Sequence, residues 1–305
     1  MDPVMLDSLR LAFGKRLQEN APLAAYTSAR VGGAADALLV ARSADELAAT
    51  AQQLWAMNVP FYVLGGGSNV LISDRGVRGV VVLNRAQRLL VRLDDNPPTI
   101  WAEAGASLNS VVQRAVRAGL SGLEWAAGLP GTLGGAIYGN AGAFDGEMIQ
   151  QVQQVEVWHR QQGRQAWNAD QLACGYRTSL LKRKQAEAII LAATLQFQRA
   201  EVTAIQARLE RIHRKRKQTQ PPGASMGSMF KNPPGDYAGR LIEAAGLKGV
   251  RIGDAEISPL HANFFINHGR ATASDIKALI DLAQRTVAEK SGVQLELEIE
   301  LLGEW

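Results

Sequence analysis

The chain has 305 residues, 47% hydrophobic and 20% charged, which is enough for more than one lobe, since single cores stop growing near ~250–300 residues. With 33 basic residues against 29 acidic ones the net charge is only +4, which suits anionic small molecules and is too slight to argue for nucleic acid. The single cysteine, Cys174, excludes an internal disulfide, and the four scattered histidines give no metal-closing spacing.

Residues 1–20 read as an amphipathic helix through Leu6, Leu9, Phe13 and Leu17. No apolar run approaches the ~18–20 residues that span a bilayer, and Met1 to Lys15 carries charges where a signal peptide would be apolar, so a soluble, cytoplasmic protein is expected. Ala37 to Val40 reads as a strand. Ser43 and Glu46 form a capping-box pattern ahead of a helix whose apolar face is Leu47, Ala51, Leu54 and Trp55. Asn58 and Pro60 stop it, and a buried strand, Phe61 to Leu64, runs into Gly65-Gly66-Gly67-Ser68-Asn69.

Further strands are expected at 80–83 and 99–104, and a helix from Ser107 to Ala118, closed by Gly119. Residues 126–146 hold seven glycines and almost no charge, which predicts loops packed closely against something. Residues 151–200 read as two or three strands and 201–217 as a helix with a basic tail. The segment from Gln218 to Gly223 breaks the helix and marks a boundary. Helices are expected over 237–245 and 274–290, and Val293 to Leu301 alternates as a half-buried strand should. The order of elements is mixed α+β, without the regular alternation of a doubly wound sheet.

Two glycine stretches carry the first chemical signal. Gly65 to Asn69 can present backbone N–H groups to a pyrophosphate, or can be only a tight turn. It is no Walker loop, because no Gly-Lys-Ser/Thr follows. Gly128 to Ala136, continuing through Gly139 to Ala143, has a high entropic cost of folding, which a flat ligand or close strand packing would offset.

Five motifs occur in order: Leu64-Gly65-Gly66-Gly67-Ser68-Asn69-Val70-Leu71, the segment from Gly128 to Ala136, Gly175-Tyr176-Arg177-Thr178-Ser179, the segment from Gly227 to Pro233, and Leu295-Glu296-Leu297-Glu298. Together they resemble the UDP-N-acetylenolpyruvoylglucosamine reductases from about Thr27 to Gly303. The resemblance is to the shorter form, since the stretch from Tyr176 to Lys217 leaves little room for an extra substrate-covering loop. It implies non-covalent FAD in a two-subdomain lobe of the vanillyl-alcohol-oxidase (PCMH) type over residues 31–200. An N-terminal helix and entry strand over 1–30 would precede that lobe, and an α+β substrate-binding domain over 201–305 would follow. It implies reduction of UDP-N-acetylglucosamine enolpyruvate by NADPH through FAD in peptidoglycan synthesis, serving cell shape and division. A monomer with no membrane or nucleic-acid partner is expected.

By that resemblance Gly65, Gly66, Gly67, Ser68 and Asn69 would hold the FAD pyrophosphate. Gly128, Pro130, Gly131, Thr132, Gly134 and Gly135 would line the flavin, and Arg30 matches the family's entry to the flavin lobe. The reaction needs a cation near the substrate carboxylate, a placed proton donor and exclusion of water. Arg177 fits the first, with Tyr176 beside it on the substrate. Ser228 fits the second, and no Gly-x-Ser-x-Gly surrounds it as a hydrolase would require. Periodicity alone reads Glu298 as part of a solvated strand face. The family match singles it out as the carboxyl near the forming enolate, partly buried and with a raised pKa.

Lys217, Lys231 and Asn232 are expected on the UDP phosphates by resemblance, and Arg214 or Arg216 on the NADPH phosphate. Asn263 and Asn267 match a segment that shapes the site, and His261 reads as a core or loop histidine. Cys174 stands where an aromatic is usual in the family. A sugar or alcohol oxidase of the same fold stays open as an alternative, though neither glycine loop has a His or Cys to tether FAD. A non-catalytic nucleotide-sugar binder is the other.

Overall fold

The computed structural model describes all residues from 1 to 305. Helix α1 (Pro3–Phe13) is shorter than its apolar spacing suggested, because Gly14 at φ 51° returns its N–H to the Arg10 carbonyl and ends it. Leu17 then leads into β1 (Gln18–Pro22). Strand β2 (Ala34–Ala41) precedes α2 (Ala44–Ala56), whose N-cap Ser43 accepts the Glu46 N–H at 3.1 Å. Only half of the capping box forms, because the Glu46 carboxylate takes the Arg42 N–H instead, at 2.7 Å. Strand β3 (Phe61–Leu64) was expected to be buried, yet Tyr62 and Val63 are exposed. It is the end strand of its sheet, so no neighbour covers its outer edge.

Next come β4 (Val70–Ile72), β5 (Val77–Asn84), β6 (Leu89–Arg92) and β7 (Thr99–Glu103), then α3 (Leu108–Arg117) with Gly119 at φ 66° beyond it. The glycine-rich region contains a helix that its composition hid, α4 (Leu133–Tyr138), capped by Thr132. Four strands, not two or three, follow the short hairpin of β9 (Gly142–Ala143) and β10 (Gly146–Glu147), once β8 (Leu120–Ser121) has been passed. These are β11 (Val152–His159), β12 (Gly163–Asn168), β13 (Ala188–Gln196) and the short β14 (Gln198–Arg199). Beyond them lie α5 (Val202–Thr219), α6 (Ala238–Ala244), β15 (Arg251–Ile252), β16 (Ala255–Ile257), β17 (Phe265–Asn267), α7 (Ala273–Ser291) and β18 (Glu300–Leu302).

The expected strand over 293–301 is regular only from Glu300. Ahead of it the backbone groups find separate partners. Leu295 C=O accepts from Gln284 Nε2, Glu296 C=O from Lys231 N–H, and Glu298 N–H donates to Met229 C=O. Leu295 and Ile299 are buried as the alternation requires, without a continuous ladder.

The chain forms two compact units. The first comprises residues 1–38, 67–80 and 216–305. In it β1 pairs antiparallel with the start of β2, β4 pairs parallel with β18, and β15, β16 and β17 form an antiparallel sheet. Its core gathers Leu71, Met229, Phe230, Leu241, Phe265, Ile280 and Val287. Helix α7 starts on a full capping box of Thr272 and Asp275, and Asp74 accepts the Ala273 and Ser274 N–H groups at 2.8 Å.

The second unit comprises residues 39–66 and 81–215. An antiparallel sheet in the order β12-β11-β13-β7-β6 forms its floor, and α2, α3 and α4 pack against strands of that sheet. Ile100, Leu108, Val112, Leu133, Val155 and Leu195 are in its core. Between Ser179 and Lys217 the chain forms a turn, β13, β14 and α5, which leaves no stretch for an extra covering loop. No helix is long and apolar enough to cross a membrane.

Candidate active site

In the second unit the two glycine stretches meet. A Cβ on Gly65 would fall on Thr132 Oγ1, and one on Gly66 would lie 2.8 Å from Gly131 Cα. The glycines are there so that two backbones can touch, and this contact bears out close packing for the Gly128–Ala136 stretch at Gly131 and Thr132. Gly128 and Gly131 adopt φ values of 74° and 114°, conformations that favour glycine. Gly66, Gly128, Pro130 and Gly135 are nevertheless exposed, so the joined loops present a surface of nearly bare backbone. Gly134 N–H is bound to Ala104 C=O at 2.8 Å and Leu133 N–H to Ala106 C=O at 2.9 Å. Those two groups therefore brace the loop rather than point outward. A flat aromatic ligand with a pyrophosphate fits such a surface, since no side chain stands between it and the peptide groups.

Arg177 also belongs to this unit. It is half-buried, with φ at 55°, and its Nη2 donates to Gly142 C=O at 2.6 Å. Its guanidinium carbon lies 5.2 Å from the centre of the exposed Tyr176 ring. Gly175 and Thr178 exchange backbone hydrogen bonds at 3.1 and 3.2 Å, which closes the turn that carries Arg177. Ser179, fully buried, ties the turn to α4 by donating to Tyr138 C=O at 2.6 Å. Cys174 is half-buried, and burial, with help from the Glu147 charge, pushes its thiol up, which favours the neutral thiol.

In the first unit Ser228 and Glu298 lie on neighbouring backbone segments. Phe230 bridges Leu297, and Glu298 N–H donates to Met229 C=O at 2.9 Å. Ser228 bridges Phe264 on its other side, and Met229 and Phe230 beside it are buried. Glu298 is half-buried, as expected. Asn263, itself 3% exposed, holds this arrangement like a missing strand. Its Oδ1 accepts Phe230 N–H at 2.9 Å, its Nδ2 donates to Phe230 C=O at 2.8 Å, and its own C=O accepts Met229 N–H at 2.8 Å.

Asn69 grips the same region. Its Nδ2 donates to Glu298 C=O at 3.1 Å and its C=O accepts Glu300 N–H at 3.0 Å. An amide expected on a pyrophosphate thus also anchors the segment of the candidate carboxyl. Gly67 needs its φ of 60°, and a Cβ there would run into Tyr26 C=O. Arg30 is exposed at φ 57°, and Asn267 holds the residue before it by donating to Ala29 C=O at 2.9 Å.

The basic residues divide. Lys217 is exposed, whereas Lys231 is largely covered and pairs with Glu296. Asn232 Oδ1 accepts Ala238 N–H at 3.1 Å and so opens α6. Arg214 is exposed but Arg216 is 8% exposed, with its pKa pushed down by burial, so the run is not one solvated face. Ile205, Leu209, Ile212 and Arg216, three or four residues apart, turn inward from α5, and charge clustering in the sequence masks that period. His261 Nδ1 accepts Asn263 N–H at 3.2 Å and burial lowers its pKa, so it is a neutral structural histidine.

Residues 218–302 match the family model of the UDP-N-acetylenolpyruvoylglucosamine reductase C-terminal domain, and residues 35–167 match that of an FAD binding domain. The chain is 43% identical over 291 residues to the UDP-N-acetylenolpyruvoylglucosamine reductase of Chloroflexus aggregans, which covers 94% of this chain and 97% of the relative. The enzyme of that name from Caldanaerobacter subterraneus is 42% identical over 308 residues, 100% of both chains. The crystal structure of UDP-N-acetylenolpyruvylglucosamine reductase from Thermus caldophilus superposes with a TM-score of 0.80 at 38% identity, covering 94% of this chain and 99% of that one. The mixed α+β fold with an FAD-binding lobe expected from the sequence is therefore the fold found.

Proposed function

This chain belongs to the UDP-N-acetylenolpyruvoylglucosamine reductase family, and from that premise we propose how its residues perform the family's reaction. It is an FAD-dependent oxidoreductase that reduces UDP-N-acetylglucosamine enolpyruvate to UDP-N-acetylmuramate for peptidoglycan synthesis, with NADPH as reductant. Residues 31–200 hold FAD and 201–305 the substrate, with 1–30 as the entry segment. The joined loops at Gly65–Asn69 and Gly128–Gly135 fit FAD, because their bare backbone admits a flat ring and a pyrophosphate. Bound there, FAD supplies the hydride, drawn from NADPH, that the methylene carbon of the enolpyruvyl group accepts.

Negative charge then gathers on the neighbouring substrate carbon and its carboxylate. The Arg177 guanidinium, always protonated, pairs with that carboxylate. Ser228 Oγ gives its proton to the basic carbon, which completes the saturated lactyl ether. A serine hydroxyl is a weak acid, so the step depends on placement and on a dry surround, which buried Met229 and Phe230 supply. Glu298 serves as a protonated or donor-bridged carboxyl beside the enolate, because a bare carboxylate there would oppose the charge. Tyr176, Lys217, Lys231 and Asn232 face the nucleotide sugar, and Arg214 the NADPH phosphate. The enzyme acts in the cytoplasm as a monomer, upstream of cell division and shape.

The observation that carries this reading is the backbone pairing of the Ser228 and Glu298 segments through Met229 and Asn263. Anaerobic NADPH should bleach the flavin of the parent and of Ser228→Ala alike. Re-oxidation by UDP-N-acetylglucosamine enolpyruvate should slow by about 10²–10⁴-fold in the variant. Equal re-oxidation rates would remove Ser228 from the mechanism. A parent that bleaches but ignores this substrate would move the substrate to another enol ether or sugar.

A further inference from the structure

We infer that Asn140, which carries none of the roles above, is the positioning residue of Arg177. The inference rests on Arg177 meeting the substrate carboxylate.

Asn140 follows α4 and is 1% exposed, with φ at 42°. All of its amide is engaged in one sense only. Nδ2 donates to Gly175 C=O at 3.0 Å and to Glu147 Oε2 at 2.9 Å, while Oδ1 accepts Ile149 N–H at 3.1 Å. Two acceptors on one side and a donor on the other fix the amide's orientation. Gly175 is the first residue of the closed turn that carries Arg177. Glu147 belongs to the hairpin of β9 and β10, whose Gly142 C=O receives the guanidinium at 2.6 Å. One buried side chain therefore ties the root of Arg177 to the strand that holds its tip.

The grip is needed because Arg177 has a left-handed backbone, which a side chain of its size keeps only when its surroundings overdetermine it. A Cβ on Gly142 would lie 2.9 Å from Arg177 Nη1, so the guanidinium is seated tightly against the hairpin backbone. Without the amide, the turn can relax toward negative φ and take the guanidinium off Gly142. The Arg177 charge would persist while its direction was lost.

The test uses oxidised holoenzyme without NADPH and two ligands, UDP-N-acetylglucosamine enolpyruvate and UDP-N-acetylglucosamine, which lacks the carboxylate. Their Kd values are compared by calorimetry. Asn140→Gly keeps the positive φ at no steric cost and removes only the amide. We expect it to retain FAD, to melt lower because Ile149 N–H, Gly175 C=O and Glu147 lose a buried partner, to bind the enolpyruvyl ligand about tenfold more weakly, and to bind the other ligand as the parent does. Equal weakening toward both ligands, or weakening toward neither, overturns the inference.

Should Asn140→Gly fail to fold, Asn140→Asp decides, since its ionised carboxylate would face Glu147 and Gly175 C=O without a proton to donate. Its preference for the enolpyruvyl ligand should be lost at pH 8 and return as acid protonates the new carboxyl. A parental preference at pH 8 overturns the inference. A parent that does not distinguish the two ligands, or an Arg177→Ala variant that still does, would instead refute the placement of Arg177 on the carboxylate.

Discussion

In the second unit the functional chain segments are placed where side chains are missing, Gly65 and Gly66 against Gly131 and Thr132, and Gly142 beneath Arg177. In the first unit amide side chains stand in for absent strands, with Asn263 beneath Ser228, Asn69 on Glu298 and Asn267 on Ala29. Steric fit admits a large ligand but tolerates no added atom. Hydrogen bonding holds a small reactive group in one direction and fails when one partner goes. The lesson is that the glycine contacts of the second unit leave room for FAD, while the amide contacts of the first hold backbone segments in one register.

The comparison is broken most severely through Asn263. Asn263→Ala leaves the buried Phe230 N–H and C=O without their side-chain partner, and should cost about 2–5 kcal/mol, read from the urea midpoint. Re-oxidation of reduced flavin by substrate should slow in what remains folded, while reduction by NADPH persists. A variant with normal stability and normal re-oxidation would remove Asn263 from the scaffold of Ser228.

Gly66→Ala should cost less stability, about 1–3 kcal/mol for a forced backbone shift, yet more flavin. Dilution followed by flavin fluorescence would show the cofactor leaving faster than from the parent. Retention equal to the parent would mean that the contact with Gly131 is not what admits FAD.

The smallest effect is at Glu124, which, like Asn140, is fixed by hydrogen bonds within the second unit. Burial alone would raise its pKa, but the Ser121 hydroxyl, the Gly122 N–H and the Arg208 charge together hold it below the ordinary carboxylate value. A folded pKa below the unfolded one gives stability above the unfolded value, which is lost as pH falls through the folded one. Glu124→Gln should therefore cost about 1 kcal/mol at pH 7 and progressively less toward pH 3. A difference that does not change with pH would deny the carboxylate this role.

What could be read from the sequence followed from local rules. The start of α2 obeys capping, α3 obeys its apolar period and ends before Gly119, and the five ordered motifs name the family. What could not be read depended on distant partners. Nothing near Phe61 says that β3 ends a sheet, and the alternation from Val293 to Leu301 does not show that its carbonyls go to Gln284, Lys231 and Asn69. The basic run hid buried Arg216, since charge is a poor guide to burial where a helix turns a long side chain inward. Asn263 was legible only as a motif member and Asn140 as one residue in a glycine stretch. No local signal could have flagged either, since Asn263 lies 33 residues from Phe230 and Asn140 lies 35 residues from Gly175.

The parallel pairing of β4 with β18 sets an order on synthesis. Residues 39–66 and 81–215, all that the second unit contains, leave the ribosome before the partner of β4 has been translated. The second unit can therefore condense before the first is complete, as nascent domains do, once β13 has emerged to pair with β7 and β11. Val70 to Ile72 must wait with open hydrogen-bonding groups until Glu300 to Leu302 emerge, and until then the cell holds an unpaired apolar strand that a chaperone or a neighbouring chain can seize.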